Sequence, residues 1–444
     1  MKTRQDYVAM DAADPLRSLK DQFSLPAGVI YLDGNSLGVL PKSTAARVQQ
    51  VIIEEWGQDL IKSWNSAGWM DLPGRIGDKI GRLIGAGPGE VMVADSTSLN
   101  LYKVLSAALS LQRADAPSRK VIVSERSNFP TDLYIAASLA QQHGARLQLV
   151  DSVDEIAATL NADLAVLLLT EVNYRSGYKH DMQAVTAAAH AAGALVIWDL
   201  AHSAGALPVD LHAADADFAV GCGYKYLNGG PGAPAFVWAH PRHVEQCEQP
   251  LAGWLGHAAP FQFTPDYQPA AGIKRYLCGT PAMLSSAALE CGVDTLLAAE
   301  PLGGMAALRR KSTALTEAFI ALAEARCGNP SANPANDGTN DLGVRLASPR
   351  DSAQRGSQVC LSLAAPLQDA GYAVVQALIA RGVIGDFRAG DPTDLTRTPH
   401  ILRFGFTPLY IGFADVFDAV EQLYQVLATE EWRQPRFAQQ GAVT

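Results

Sequence analysis

A chain of 444 residues with 48% hydrophobic and 18% charged residues has the size for two domains around a substantial core. Its composition is that of a folded protein, which excludes disorder as the default. The formal charge of −10 argues against a nucleic-acid partner, because phosphate backbones demand clustered Lys and Arg. One local pocket can still be positive and take a small anion.

The start, Met-Lys-Thr-Arg-Gln-Asp-Tyr-Val, has no apolar stretch of signal-peptide length, and runs such as Leu164 to Leu169 are too short to cross a bilayer. Cys222, Cys247, Cys278, Cys291, Cys327 and Cys360 are scattered without C-x-x-C spacing. That pattern fits reduced thiols better than a disulfide framework or a zinc site. The expectation is a cytoplasmic enzyme or binding protein with no membrane partner.

In chain order, Val91–Ala94, Val121–Ser124, Leu147–Val150, Leu164–Thr170 and Leu195–Trp198 read as buried strands. Between them lie helix candidates at Asn100–Leu109, Asp132–Gln142 and Met182–Ala192. This alternation predicts a mostly parallel sheet covered on both faces, an α/β fold. Phe218–Gly221 and Ala235–Trp238 are separated by a Gly- and Pro-rich loop too short for a helical crossover, so they pair antiparallel or through a tight connection. Beyond Glu300 a long helical pattern runs to Arg326, followed by a loop-rich stretch from Cys327 to Asp341. Strands near Val359–Leu363 and Ile401–Phe406 and a helix over Phe413–Ala428 complete the chain. The expected division is a large α/β domain over residues 56–297 and a small α+β domain from residues 1–55 and 298–444.

In an open α/β sheet, ligand groups gather beyond the carboxyl ends of the strands. Leu195–Trp198 is followed by Asp199-Leu-Ala-His202, and Phe218–Gly221 by Cys222-Gly-Tyr-Lys225. A carboxylate and a lysine therefore share one sheet edge. They form either a structural ion pair or the pair that serves pyridoxal phosphate, with the lysine bound to the cofactor and the aspartate facing the pyridinium nitrogen. Asp95-Ser-Thr-Ser98 lies between a strand and a helix, where free N–H groups and the helix dipole favour an anion. An N-cap alone would select the same residues. Phe129-Pro-Thr-Asp132 holds the matching place after the next strand, where a ring can stack on a planar heterocycle or simply fill core.

Trp198-Asp-Leu-Ala-His-Ser-Ala-Gly205 and Gly223-Tyr-Lys-Tyr-Leu-Asn-Gly-Gly-Pro-Gly232 resemble the signature of kynureninases, pyridoxal-phosphate enzymes of the aspartate-aminotransferase-like fold type I family. The resemblance runs in order from Tyr31-Leu-Asp-Gly-Asn-Ser-Leu-Gly38 to Leu402-Arg-Phe-Gly-Phe-Thr-Pro-Leu-Tyr410. It implies a seven-stranded-type sheet in the large domain and hydrolysis of L-kynurenine, or 3-hydroxykynurenine, to anthranilate, or 3-hydroxyanthranilate, and L-alanine.

The resemblance further implies Lys225 as the Schiff-base lysine, Asp199 as partner of the pyridine nitrogen, and His202 beside them. It places Tyr224 at the phosphate with a role in proton transfer, Thr97 and Ser98 in the phosphate turn, Phe129 on the ring and Asp132 as a second carboxylate. Trp254 and Thr280 match residues that reach the cofactor of the neighbouring subunit, which implies a homodimer. Arg403 matches the arginine that grips the substrate carboxylate, a role suited to its bidentate fork. Asn35, Ser36 and Trp64 match residues near the substrate.

Rival readings remain open. Gly34-Asn-Ser-Leu-Gly38 fits the G-x-S-x-G elbow of an α/β-hydrolase, with Ser36 as nucleophile and His400 as base, although Pro41 keeps a helix from starting at the serine. A cysteine desulfurase or selenocysteine lyase of the same fold would need a nucleophilic cysteine such as Cys327. His240-x-x-His243 lacks a third metal ligand nearby and reads as a polar strand end.

Overall fold

The structure, a computed structural model, describes residues 2–328 and 341–441. The chain forms two compact units, one of residues 41–174 and 180–297, the other of residues 1–40, 175–179 and 298–444.

The larger unit is built on seven strands: β1 (Val91–Ala94), β2 (Val121–Glu125), β3 (Arg146–Val150), β4 (Leu164–Thr170), β5 (Leu195–Asp199), β6 (Phe218–Gly221) and β7 (Ala235–Ala239). Their order across the sheet is β1-β7-β6-β5-β4-β2-β3. All pairs are parallel except those made by β7, which runs against both β1 and β6. The short link from β6 to β7 enforces that reversal, as the loop length predicts. Every residue of β4 is buried, the mark of a strand covered on both faces.

Helix α1 (Thr97–Asp115) crosses the middle of the sheet, touching β4, β5, β6 and β7. Its Leu101, Val104, Leu105 and Ala108 are fully buried. Helices α2 (Pro130–His143) and α3 (Met182–Ala191) follow β2 and β4, whereas β5 reaches its parallel neighbour β6 through turns alone. The unit begins at Pro41 rather than near Trp56, because the helix Lys42–Gln50 packs on α4 (Met283–Leu297).

The smaller unit holds an antiparallel sheet of β8 (Val344–Leu346), β9 (Gln358–Leu363), β10 (Asp386–Arg388) and β11 (Ile401–Gly405), in the order β10-β11-β9-β8. Helices α5 (Gly304–Cys327) and α6 (Phe413–Ala428) pack on each other. Phe319 of α5 meets Phe404 and Phe406 at 5.1 and 5.0 Å. The N-terminal Ile30–Tyr31 pairs in parallel with Val383–Ile384, so both ends of the chain build this unit. Most of the expected stretch from Cys327 to Asp341 lies outside the described residues.

Candidate active site

The strand ends of the larger unit bring eight of the expected residues to one cavity: Thr97, Ser98, Phe129, Asp132, Asp199, His202, Tyr224 and Lys225. Each follows or closes a strand at its carboxyl end, as the sheet-edge rule requires. Ser96 caps α1, accepting from Leu99 N at 3.3 Å. The N–H groups of Thr97 and Ser98 belong to the first turn, which has no intrahelical acceptors.

Lys225 Nζ lies 3.1 Å from His202 Nε2, 5.9 Å from the centre of the Phe129 ring and 5.8 Å from that of Tyr224. Asp199 is buried and accepts from Ala201 N at 2.8 Å. Burial pushes its carboxyl up, and the nearby Lys225 and the Ala201 N–H offset this only in part. Asp132, also buried, is pushed well up, by burial first and then by the charge of Asp199.

Tyr224 is one-third exposed, and burial of its remainder raises its hydroxyl above the ordinary phenol range. The loop that carries Lys225 is tightly backed. Gly229 N donates to Gly223 O at 2.9 Å. A Cβ on Gly223 would stand 2.3 Å from Pro234 O, and one on Gly229 2.7 Å from Gly223 O.

Sequence reasoning missed Asn128, Thr131, Thr170 and Tyr174. Thr131, Thr170 and Tyr174 line the same cavity. Thr170 donates to Asn128 Oδ1, which also receives Phe129 N at 2.7 Å. Tyr174 meets Phe129 edge-on at 5.4 Å. Thr170 carried a signal, since it closes a strand beside Asp199; Asn128 carried none beyond its place in a loop.

Neither Trp254 nor Thr280 lines the Lys225 cavity. Trp64 packs edge-on against Trp69 and Trp254, at 5.9 and 6.5 Å. Thr280 lines a second cavity with Asp95, Ser96 and Cys278.

Arg403, Asn35 and Ser36 come together in the smaller unit. Arg403 is buried and donates from Nε to Asp386 Oδ1 at 2.9 Å and from Nη2 to Ser36 Oγ at 2.7 Å. With its oxygen turned to Arg403, the Asn35 amide accepts at 2.8 Å from Nε and 3.2 Å from Nη2. Burial and Asp386 together push Asp33 in this cluster up to about 7, while Arg403 holds it back.

The hydrolase reading does not survive this geometry. Ser36 Oγ donates to Asp386 at 3.1 Å and accepts from Arg403, so a cation and a carboxylate occupy it where a base would be needed. His400 Nδ1 instead accepts from Gly390 N at 2.7 Å. The next helix starts only at Lys42, after Pro41. Cys327 ends α5 fully buried, and burial pushes its thiol up to about 12, which removes the thiolate a desulfurase nucleophile needs. His240 caps a short helix, accepting from Arg242 N at 3.0 Å, and His243 pairs with Asp217 at 2.8 Å. Among the described residues no group of His, Cys, Asp and Glu is arranged to hold a metal ion, and no helix is long and apolar enough to cross a membrane.

The Kynureninase C-terminal domain model matches residues 308–423, and the Aminotransferase class-V model residues 30–354. Kynureninases of Burkholderia pseudomallei and Pseudomonas fluorescens are each 54% identical to the chain, over 100% of both sequences.

The chain belongs to the kynureninase family.

The solved structures it resembles show the fold. A cysteine desulfurase from Thermococcus onnurineus superposes with a TM-score of 0.71 at 17% identity, covering 93% of this chain and 96% of that one. A C-DES mutant with glycine linked to its pyridoxal phosphate gives 0.74 at 16% identity, covering 92% and 98%. Both share the mostly parallel, helix-flanked sheet of fold type I.

The residues at the cavity suit the cofactor of this family, pyridoxal phosphate. A buried carboxyl whose burial is only partly offset, an amine and a helix N-terminus are the three groups that a pyridinium nitrogen, an aldehyde and a phosphate require.

Proposed function

We propose that this protein hydrolyses the Cβ–Cγ bond of L-kynurenine, or of its 3-hydroxy derivative, giving anthranilate or 3-hydroxyanthranilate and L-alanine. The observation that carries this reading is 54% identity to curated kynureninases along the whole of both chains.

When bound, pyridoxal phosphate withdraws electrons from the α-carbon of the substrate. Lys225 is the covalent anchor and, once its amine is free, the general base that takes the α-proton. His202, 3.1 Å from Lys225 Nζ, orients that amine. Asp199 would face the ring nitrogen and keep it protonated, with the buried Asp132 carboxyl as a second acidic group at that end of the cavity. Phe129 would lie against the cofactor ring, and Thr97 and Ser98 would hold its phosphate at the start of α1. Tyr224, a phenol that carries its proton at neutral pH, is the group assigned to deliver a proton to Cβ after anthranilate departs. Arg403 grips the α-carboxylate, and Asn35, Ser36 and Trp64 lie along the substrate.

The working form in this reading is a homodimer in which Trp254 and Thr280 reach the cofactor of the neighbouring subunit. Two features support it. Neither residue lines the Lys225 cavity of its own chain. The larger unit also exposes Ile53, Trp56, Ile61, Phe261 and Phe263 by 50–77%, an apolar display that suits an interface. A cytoplasmic location is supported by six cysteines that are all unpaired.

The test is a visible spectrum of the purified protein, followed by addition of L-kynurenine. A yellow protein that yields fluorescent anthranilate and an equal amount of alanine is expected. A yellow protein inert to kynurenine would move the assignment to another lyase of this fold, and one that cannot take up pyridoxal phosphate would overturn it.

A further inference from the structure

The turn after β1 is braced from within α1. Asp95 has a φ of 45°, in the left-handed region that Asp enters more readily than most residues. That conformation turns the chain so that Ser96 becomes the cap and Thr97 and Ser98 open the helix. Two side chains from the next turns of α1 then reach back. Asn100 Nδ2 donates to Ala94 O at 2.8 Å. Lys103, fully buried, donates its ammonium to the Asp95 carboxylate and, at 2.7 Å, to the carbonyl of Tyr276.

A lysine buried in the middle of a helix is costly, and a leucine there would extend the core without that cost. What the ammonium adds is a joint between two segments. One is the turn 95–98. The other ends at Tyr276, shortly before Thr280, and Asp95 and Thr280 line one cavity. Thr97, Ser98 and Thr280 are the residues assigned above to phosphate, the last in the neighbouring subunit.

We propose that Lys103 is a positioning residue for cofactor phosphate: its ammonium holds both the Asp95 turn that presents Thr97 and Ser98 and the Tyr276 segment that carries Thr280. The proposal rests on the phosphate reading of those residues. It makes Lys103 specific to the phosphate end of the cofactor, with no contact to the reacting atoms.

The test compares affinity for pyridoxal phosphate with affinity for pyridoxal, which lacks the phosphate, in the parent protein and in Lys103→Met. Loss of a charge-assisted joint should weaken pyridoxal phosphate by about tenfold, while pyridoxal affinity stays as in the parent. Equal weakening of both ligands, or a lowered melting temperature with neither affinity changed, would show a merely structural ion pair and overturn the proposal. If Lys103→Met does not fold, Asp95→Asn decides. It keeps the bond from Lys103 to Tyr276 O and should lower the phosphate preference by less than tenfold but measurably; an unchanged preference overturns the proposal. Failure of the underlying reading is distinct, because the parent protein itself would then bind pyridoxal as tightly as pyridoxal phosphate.

Discussion

Asp199 and Asp217 are buried aspartates at opposite ends of neighbouring strands. Asp199 closes β5, and Asp217 immediately precedes β6. The carboxylate of Asp217 is surrounded: its Oδ2 pairs with His190 Nε2 and Val196 N, each at 2.8 Å, and its Oδ1 with His243 Nε2 at 2.8 Å and Arg242 Nη2 at 2.5 Å. Burial alone would push this carboxyl up, but the bonds from His190, His243 and Arg242 outweigh it and hold the group well below the usual range. For Asp199 burial wins, and the carboxyl is raised. One residue type on one sheet is thus fully compensated at the amino end of the strands and incompletely compensated at the carboxyl end. A carboxyl whose neighbours complete it serves the fold; one left raised beside an amine is equipped for chemistry.

Substitutions should separate the two roles. Asp199→Ala should cost about 10²–10³-fold in kcat, as loss of a preorganised electrostatic partner does, with a melting temperature no lower than that of the parent. A large fall in melting temperature with normal turnover would reverse the assignment. Asp217→Asn should do the opposite, destabilising by about 3 kcal/mol because Arg242 and the two histidines lose their buried partner, while kcat stays near the parent value. Denaturation and steady-state kinetics on the same preparations check both.

The pH dependence gives a second contrast, with opposite signs. A depressed carboxyl contributes stability above the ordinary carboxylate range and loses it as pH falls through that range toward its lowered folded value. A raised carboxyl binds its proton more tightly when folded, so its contribution falls as pH rises above the ordinary range. In cofactor-free protein, Asp217→Asn should therefore flatten the loss of stability on acidification, and Asp199→Ala should flatten the loss on going toward neutral pH. Parallel curves for parent and variants would break the comparison. The smallest effect expected is for His190→Gln, about 1 kcal/mol for one hydrogen bond to a partly exposed ring, read as a shift in melting temperature.

The cluster at the carboxyl edge of the sheet was legible in the sequence, and the one around Asp217 at the amino edge was not. Buried strands announce themselves as apolar runs, and the first polar residues after them, Asp199 and Lys225, fall at the carboxyl edge by simple continuation. Asp217 offers no such cue, because its partners His190, Arg242 and His243 come from one helix and one later turn, and only folding brings them together. For the same reason His243 read as a polar strand end. The start of the larger unit was misjudged because the contact of Lys42–Gln50 with α4 joins residues more than two hundred positions apart. Arg403 was legible as a buried guanidinium from its apolar neighbours, but the commitment of its fork to Asp386 was not.

The glycine-walled loop around Lys225 bears on how this catalyst can be altered. With Gly223 pressed against Pro234 O and Gly229 against Gly223 O, the loop that carries Lys225 has no room for a new side chain at either position. Attempts to retune substrate preference by library mutagenesis should accordingly recover few functional variants at Gly223 and Gly229. Productive diversity should come instead from positions such as Tyr174 and Trp64, whose side chains already project from loops or short helices. The loop that presents Lys225 is therefore closed to that kind of evolution.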